Sequence, residues 1–218
     1  MTYTHLLFDL DGTLTDPREG ITKCVQHALH HFGIEEDDLD KLTLFIGPPL
    51  ISSFMEFYGL TREEAQKAVE VYRERFSTIG IFENKVLEGI PEMLGRLKAQ
   101  GKILAVASSK PEEFVLRILD HFALTDYFDE ITGASMDGKR SEKKDVIEEA
   151  LARLGRSHDR KGILMVGDRK HDVEGAAACG LDSLGIYTGF APAGELEKAG
   201  ATYVSHSSQE AADFLQSC

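Results

Sequence analysis

The chain opens on an apolar run, Leu6-Leu7-Phe8, that ends in Asp9-Leu10-Asp11-Gly12-Thr13. On an extended strand residues i and i+2 share a side, so Asp9 and Asp11 face one place while Leu10 turns toward the core. Gly12 permits a sharp exit. Two carboxylates held that close need a cation, a shared proton or bulk water, and the first two are routes to catalysis. An acidic turn closing a strand has the same letters, because Asp-Gly is a frequent turn dipeptide. These residues alone leave both readings open.

Three later clusters bear on the choice. Ser108-Ser109-Lys110-Pro111 follows the apolar run 102–107, with Pro111 suited to begin a helix. Serine hydroxyls and backbone amides there can hold a phosphate, or simply cap the helix. Lys143, in Ser141-Glu142-Lys143-Lys144, lies near the start of a predicted helix and opposes its dipole, which an anionic site would explain. A solvated lysine pair is the plainer alternative. Gly167-Asp168-Arg169-Lys170-His171-Asp172 sets two acids four apart, on one helical face, where an apolar strand meets a helix. An acid at the end of a buried strand is unfavourable unless paired or metal-bound, and Asp9, Asp11 and Asp168 supply hard oxygen ligands suited to Mg²⁺. Asp172 taken alone could cap or pair with a base. The conjunction of all four clusters at strand ends is far less probable by chance than any one of them.

The elements that must position these residues follow from periodicity. After a strand at about 4–9, helical periodicity predicts helices at 17–32, 48–58 and 61–79, the last opened by a capping box of Thr61 and Glu64. From Gly89 the rhythm changes: helix 89–100, strand 102–107, helix 111–120, strand 128–132, helix 142–154, strand 162–167, helix 170–179 and strand 182–187, with weaker elements at 202–205 and 207–216. Gly and Ala at 175–178 would let their helix lie close on the sheet. This is an α/β pattern, a Rossmann-like parallel sheet covered by helices on both faces, with ligands at the carboxyl ends of the strands.

Composition narrows the function classes. With 218 residues, 42% of them hydrophobic, the chain is long enough for one good core plus a smaller inserted unit. A formal charge of −13 disfavours nucleic acid and anionic lipid as partners. It would also repel a small anionic substrate, so a phosphate site must be made locally positive by a metal, a lysine or helix N-termini. Cys24, Cys179 and Cys218 form no CxxC pair, which argues against a disulfide framework or thiolate metal site. No apolar run is long enough to span a membrane and no basic leader opens the chain, so the cytoplasm is the expected address.

Asp9-Leu10-Asp11-Gly12-Thr13, Ser108, Lys143 and Gly167-Asp168 with Asp172 resemble the four ordered motifs of the haloacid dehalogenase-like hydrolase superfamily. The segment 138–147 with Gly-Asp-Arg-Lys-His-Asp at 167–172 is similar to its phosphoglycolate phosphatase-like branch, and the helical insert resembles a C1-type cap. The resemblance implies a hydrolase core of residues 1–14 and 84–218 and a helical cap of 15–83. It implies that Asp9 is the nucleophile forming an aspartyl-phosphate, that Asp11 is the general acid and then base, and that Mg²⁺ is held by Asp9, Asp11 through its carbonyl, and Asp168. Asp172 and Thr13 would support those ligands, and Ser108, the Ser109 amide and Lys143 would grip the phosphoryl group. In the cap, Gly47 within Phe45-Ile46-Gly47-Pro48-Pro49 is the candidate leaving-group contact, a helix connector being the alternative. Arg18 and Lys23 could meet an anionic leaving group, solvated surface charge being the plainer alternative, and His30, His31 and His171 show no metal-ligand spacing beyond chance.

The implied activity is a Mg²⁺-dependent phosphatase acting on a small phosphorylated metabolite, phosphoglycolate for example, as a monomer or homodimer. A nucleoside 5′-monophosphatase, a pyrophosphatase, a β-phosphoglucomutase-like mutase and a phosphate-binding regulator without turnover are the alternatives.

Overall fold

The computed structural model describes residues 2–218. Its centre is a six-stranded, all-parallel sheet in the order β5-β4-β1-β6-β7-β8, built from β1 (His5–Phe8), β4 (Ile103–Pro111), β5 (Glu130–Ala134), β6 (Ile163–Gly167), β7 (Asp182–Ile186) and β8 (Tyr203–Ser205). Two short strands, β2 (Thr15–Asp16) and β3 (Lys85–Val86), form a second, two-stranded sheet. Parallel strands are buried on both faces, and the residues here obey that rule. Leu7, Ala105, Ala107, Ile163 and Met165 pack on one side against Val146, Ile147, Ala150, Leu151 and Ala176. Leu6, Phe8, Leu104, Val106, Leu164 and Val166, which alternate with them, are just as buried. Helices α6 (Lys143–Arg153) and α7 (Lys170–Ala178) supply the first of these layers, while α4 (Ile90–Ala99) packs on β4 and on α9 (Ser208–Ser217).

Strand β1 pairs with β4 on one side and β6 on the other, with Phe8 level with both Val106 and Val166. The chain reverses direction across the sheet at this point, which is where an open α/β sheet places its ligand crevice. Asp9, Ser108 and Asp168 are therefore brought to one edge by register alone.

By internal contacts the chain divides into two units. One comprises the residues up to Thr15 together with Val86–Cys218, and the other is Asp16–Lys85. The second unit is helical: α1 (Arg18–His31), α2 (Leu50–Tyr58) and α3 (Arg62–Arg75), with a 3₁₀ turn at Lys41–Phe45 and a π-helical turn at Phe76–Gly80. The predicted capping box is present, with Thr61 Oγ1 accepting from the Glu64 amide and Glu64 accepting from the Thr61 amide.

Three predicted details differ. Pro111 does not start a helix: it ends β4 with extended backbone (ψ 131°), and α5 (Glu112–His121) begins one residue later. The glycine-containing stretch of α7 makes its tightest approach to α6 rather than to the sheet, since a Cβ on Gly175 would stand 2.7 Å from the Lys143 side chain. Helix α8 (Glu195–Ala199) was hidden by its five-residue length. Among the described residues no helix is long and apolar enough to cross a membrane, and the three cysteines are free thiols.

Candidate active site

Four acids and two lysines meet at the carboxyl edge of β1, β4 and β6. Lys143 opens α6, and its buried ammonium donates to Asp9 Oδ1 (2.7 Å) and to the Ala107 carbonyl (2.9 Å) and forms an ion pair with Asp172 Oδ1 at 2.8 Å. Its neighbour Lys144 is exposed. Burial alone would lower the Lys143 ammonium's proton affinity, but Asp172 and Asp9 outweigh it and hold the group above the ordinary lysine value. The two carboxylates thus favour the charged form of Lys143.

Asp168 is completely buried, and the loop after β7 closes on it. Its Oδ2 accepts the Phe190 amide at 2.7 Å and its Oδ1 accepts the Thr13 hydroxyl at 3.4 Å. A Cβ at Gly12 would stand 2.2 Å from Asp168 Oδ2, and one at Gly189 2.1 Å from the same atom, so only glycine fits on either flank. Gly12 also sits at φ 83°, where a side chain would be strained in addition. Asp172 Oδ2 accepts the Arg169 amide at 3.0 Å, which turns its other oxygen to Lys143.

Asp11 lies apart from that trio. Its Oδ2 pairs with Lys110 at 2.7 Å, and its Oδ1 is buried without a hydrogen-bond partner. Ser108 is buried, and its hydroxyl oxygen accepts the Lys110 amide at 3.3 Å, while Ser109 is partly exposed on the same stretch of β4.

The electrostatics run in one direction. Burial pushes the Asp11 carboxyl up, with Lys110 pulling against it. Burial raises Asp168 well above the carboxylate range, and the charges of Asp172 and Asp9 add to the effect. Burial carries Asp172 up to about 6, although Lys143 opposes it. Acids displaced this way are short of positive charge. Asp9, Asp168 and Asp172 each offer an oxygen within 4.8 Å of the others, a hard donor set that fits a divalent cation. Among the described residues no other trio of His, Cys, Asp or Glu comes this close.

The expected site residues Asp9, Asp11, Thr13, Ser108, Ser109, Lys143, Asp168 and Asp172 all belong to the same unit and converge on this edge. Asp172, expected to stand behind the ligands, lies with Asp9 and Asp168 in the carboxylate trio, and the Asp11 carboxylate, whose carbonyl was the expected ligand, is engaged by Lys110. Gly47 belongs to the other unit, in the Phe45–Pro49 turn at φ 104°. Arg18 pairs with Asp40, Lys23 with Glu19 and Glu83, and His30 with Glu35, all inside the helical unit. Sequence reasoning assigned nothing to Lys110, although a lysine two residues past the serine was visible. The Phe190 amide had no signal, because every non-proline residue carries one.

Comparison with known proteins agrees with this geometry. Residues 6–186 match the family model described as haloacid dehalogenase-like hydrolase, and the chain belongs to that family. It is 47% identical over 196 residues to a 5′-nucleotidase of Pseudomonas aeruginosa, covering 90% of this chain and 88% of that protein. It is 42% identical over 201 residues to the tyrosine-protein kinase PtkA of Mycobacterium tuberculosis, covering 92% of this chain and 68% of that one. Identity to a phosphoglycolate phosphatase of Aquifex aeolicus is 33% over 175 residues, 80% of each chain. The crystal structure of a predicted phosphatase from Clostridium acetobutylicum superposes with a TM-score of 0.96 at 46% identity, over 100% of both chains.

Proposed function

We propose that this member of the haloacid dehalogenase-like hydrolase family is a Mg²⁺-dependent phosphatase of small phosphomonoesters, and that nucleoside 5′-monophosphates are its substrate class. The observation that carries the reading is the convergence of Asp9, Asp168 and Asp172, the first and last of them paired with Lys143, with the Asp11–Lys110 pair on the same edge. The choice of nucleotide over phosphoglycolate rests on the 47% identity to a 5′-nucleotidase, against 33% to a phosphoglycolate phosphatase.

In this reading an Asp9 oxygen attacks phosphorus, the ester P–O bond breaks, and Asp11 gives its proton to the departing oxygen. Burial keeps that proton on Asp11 at higher pH than an exposed aspartate would hold it. The alcohol leaves; Asp11, now a carboxylate, takes a proton from water as the water oxygen bonds to phosphorus, and the bond to Asp9 breaks to release phosphate. Lys143 fixes the attacking carboxylate and, with Ser108 and the Ser109 amide, compensates charge on the phosphoryl oxygens. Bound Mg²⁺, held by Asp9, the Asp11 carbonyl and Asp168 with Asp172 behind them, would supply charge neutralisation to the same oxygens. The helical unit is assigned the choice of leaving group, with Gly47 its first candidate.

The test is phosphate release from a panel of nucleoside 5′-monophosphates, sugar phosphates, phosphoglycolate and pyrophosphate, with Mg²⁺ or with EDTA. Turnover of nucleoside 5′-monophosphates with Mg²⁺ and none with EDTA is expected. Preference for another ester overturns the substrate assignment, and silence across the panel overturns the phosphatase.

A further inference from the structure

Glu195 lies 27 residues beyond Asp168 in sequence and outside every motif read above. It is nonetheless wired into the same edge of the sheet. Its side chain is only 13% exposed and that of Arg169 9%, and Arg169 Nε donates to Glu195 Oε1 at 2.9 Å while its terminal nitrogen donates to Oε2 at 3.4 Å. Glu195 Oε1 also accepts the Lys170 amide at 2.9 Å. One carboxylate therefore binds two successive residues of the turn that carries Asp168 and Asp172. That turn reaches the acids directly, since the Arg169 amide donates to Asp172 Oδ2.

From the other side, Glu195 ends the segment that follows β7, and that segment presents the Phe190 amide to Asp168 Oδ2 at 2.7 Å. The seat under Glu195 is firm: its neighbour Leu196 is completely buried against β7, where a Cβ at Gly185 would stand 2.9 Å from the Leu196 side chain. Gly189 leaves no slack between segment and acid. Asp168 is held by Phe190 and Thr13, and the segment bearing Phe190 is held by Glu195 on Arg169.

We propose that Glu195 and Arg169 form a clasp that positions Asp168 and Asp172 for a divalent cation, so that breaking the clasp weakens cation binding without removing a ligand. The inference rests on the reading of the trio as a cation site. Groups that orient metal ligands typically carry roughly 10–100-fold in affinity when lost. Glu195 touches neither the reacting atoms nor the trio, so it is a positioning residue.

Isothermal titration with MgCl₂ alone, on protein freed of metal, tests it. In Glu195→Ala the Mg²⁺ Kd should rise roughly tenfold, while the melting temperature in EDTA stays within a few degrees of the parent. Glu195→Gln keeps an acceptor for the Lys170 amide but loses the ion pair, and should fall between the two. Arg169→Lys keeps charge without the two-pronged grip and should match Glu195→Gln. With phosphate esters the Mg²⁺ concentration for half-maximal rate should rise in parallel while kcat at saturating Mg²⁺ changes less than twofold. Parent-like Kd values in folded Glu195→Ala and Arg169→Lys overturn the clasp. So does a weakening in Glu195→Ala matched by an equal loss in Glu195→Gln and a collapse of stability in EDTA, because that marks a folding contact only. A parent that binds Mg²⁺ but hydrolyses no ester overturns the phosphatase reading and leaves the clasp standing.

Discussion

Arg75 in the helical unit and Lys143 at the sheet edge each sit at hydrogen-bond distance from carboxylates, yet Glu83 beside Arg75 and Asp172 beside Lys143 are displaced in opposite directions. Arg75 donates to both oxygens of Glu83, at 2.6 and 3.0 Å, and Lys23 adds a third contact at 3.3 Å. Hydrogen bonding to Arg75 holds the Glu83 carboxyl below its usual range. At the sheet edge Asp11, Asp168 and Asp172 are all raised, burial being the leading cause in each. The difference is one of count and solvent: in the first cluster two cations meet two acids, the partly exposed Glu83 and the exposed Glu19, and in the second two lysines are spread over four buried acids. The first cluster is complete as it stands. The second is built with a deficit of positive charge that a ligand would fill, which is how a chain of net charge −13 can host an anion's chemistry.

The largest break in that comparison comes from Asp9→Asn, which keeps the shape of the edge and removes the attacking carboxylate. Hydrolysis of an aryl phosphate should fall by at least about 10³-fold, and a variant within tenfold of the parent would refute the nucleophile assignment. Lys110→Ala comes next: Asp11 loses its ion-pair partner, and kcat/KM should drop by roughly 10–100-fold, with the alkaline limb of its pH profile, where the Asp11 proton is lost, moved upward. An unchanged profile would show that Lys110 does not act on Asp11.

The two clusters should also answer pH with opposite signs. Folded Asp172 keeps its proton up to about 6, against 3.8 for an ordinary aspartate, so the stabilisation from that proton is full below the unfolded value and fades as pH rises through about 6. Metal-free protein should therefore melt higher at pH 5 than at pH 7.5, by at least about 3 °C, the shift that ~1 kcal/mol produces in a domain of this size. Saturating Mg²⁺ should shrink or reverse the gap. Glu83 contributes the other way, its depressed value giving stability that is present above the unfolded 4.5 and lost as pH falls through the folded one. Glu83→Gln should accordingly cost no more than about 1 kcal/mol at pH 7.5, less at pH 4, with Mg²⁺ affinity unchanged. Scanning calorimetry at the two pH values, with and without Mg²⁺, reads all of these effects together.

The parts of this molecule legible in advance were those in which residue type and spacing carry the physics. Runs such as Ile163–Gly167 declare buried strands, Asp9 and Asp168 declare themselves by standing where such runs end, and Lys143 by opposing the dipole of the helix it opens. What stayed hidden lacked either length or identity. Strands β2 and β3 have two residues each, too few for any periodicity, and α8 has five. Pro111 was assigned to a helix by its φ preference, but the bulged pairing of Ser108 and Pro111 with β5 extended the strand through it. The role of Asp172 within the trio turned on where the Arg169 amide points its carboxylate, a matter of one hydrogen bond at 3.0 Å. The partnership of Lys110 with Asp11 joins residues 99 apart, which local pattern cannot register.

The place of β1 in the sheet also governs how this protein comes to exist on the ribosome. It precedes both of its partner strands in the sequence: His5 pairs with Ile103 on one edge and Ile163 on the other. Until β6 has been synthesised, Leu6, Leu7 and Phe8 form an apolar strand with an unfilled edge, the kind of segment that invites intermolecular pairing. Asp168 follows β6 directly and Asp172 lies four residues on, so the Asp9 charge cluster cannot be complete before that strand has been made.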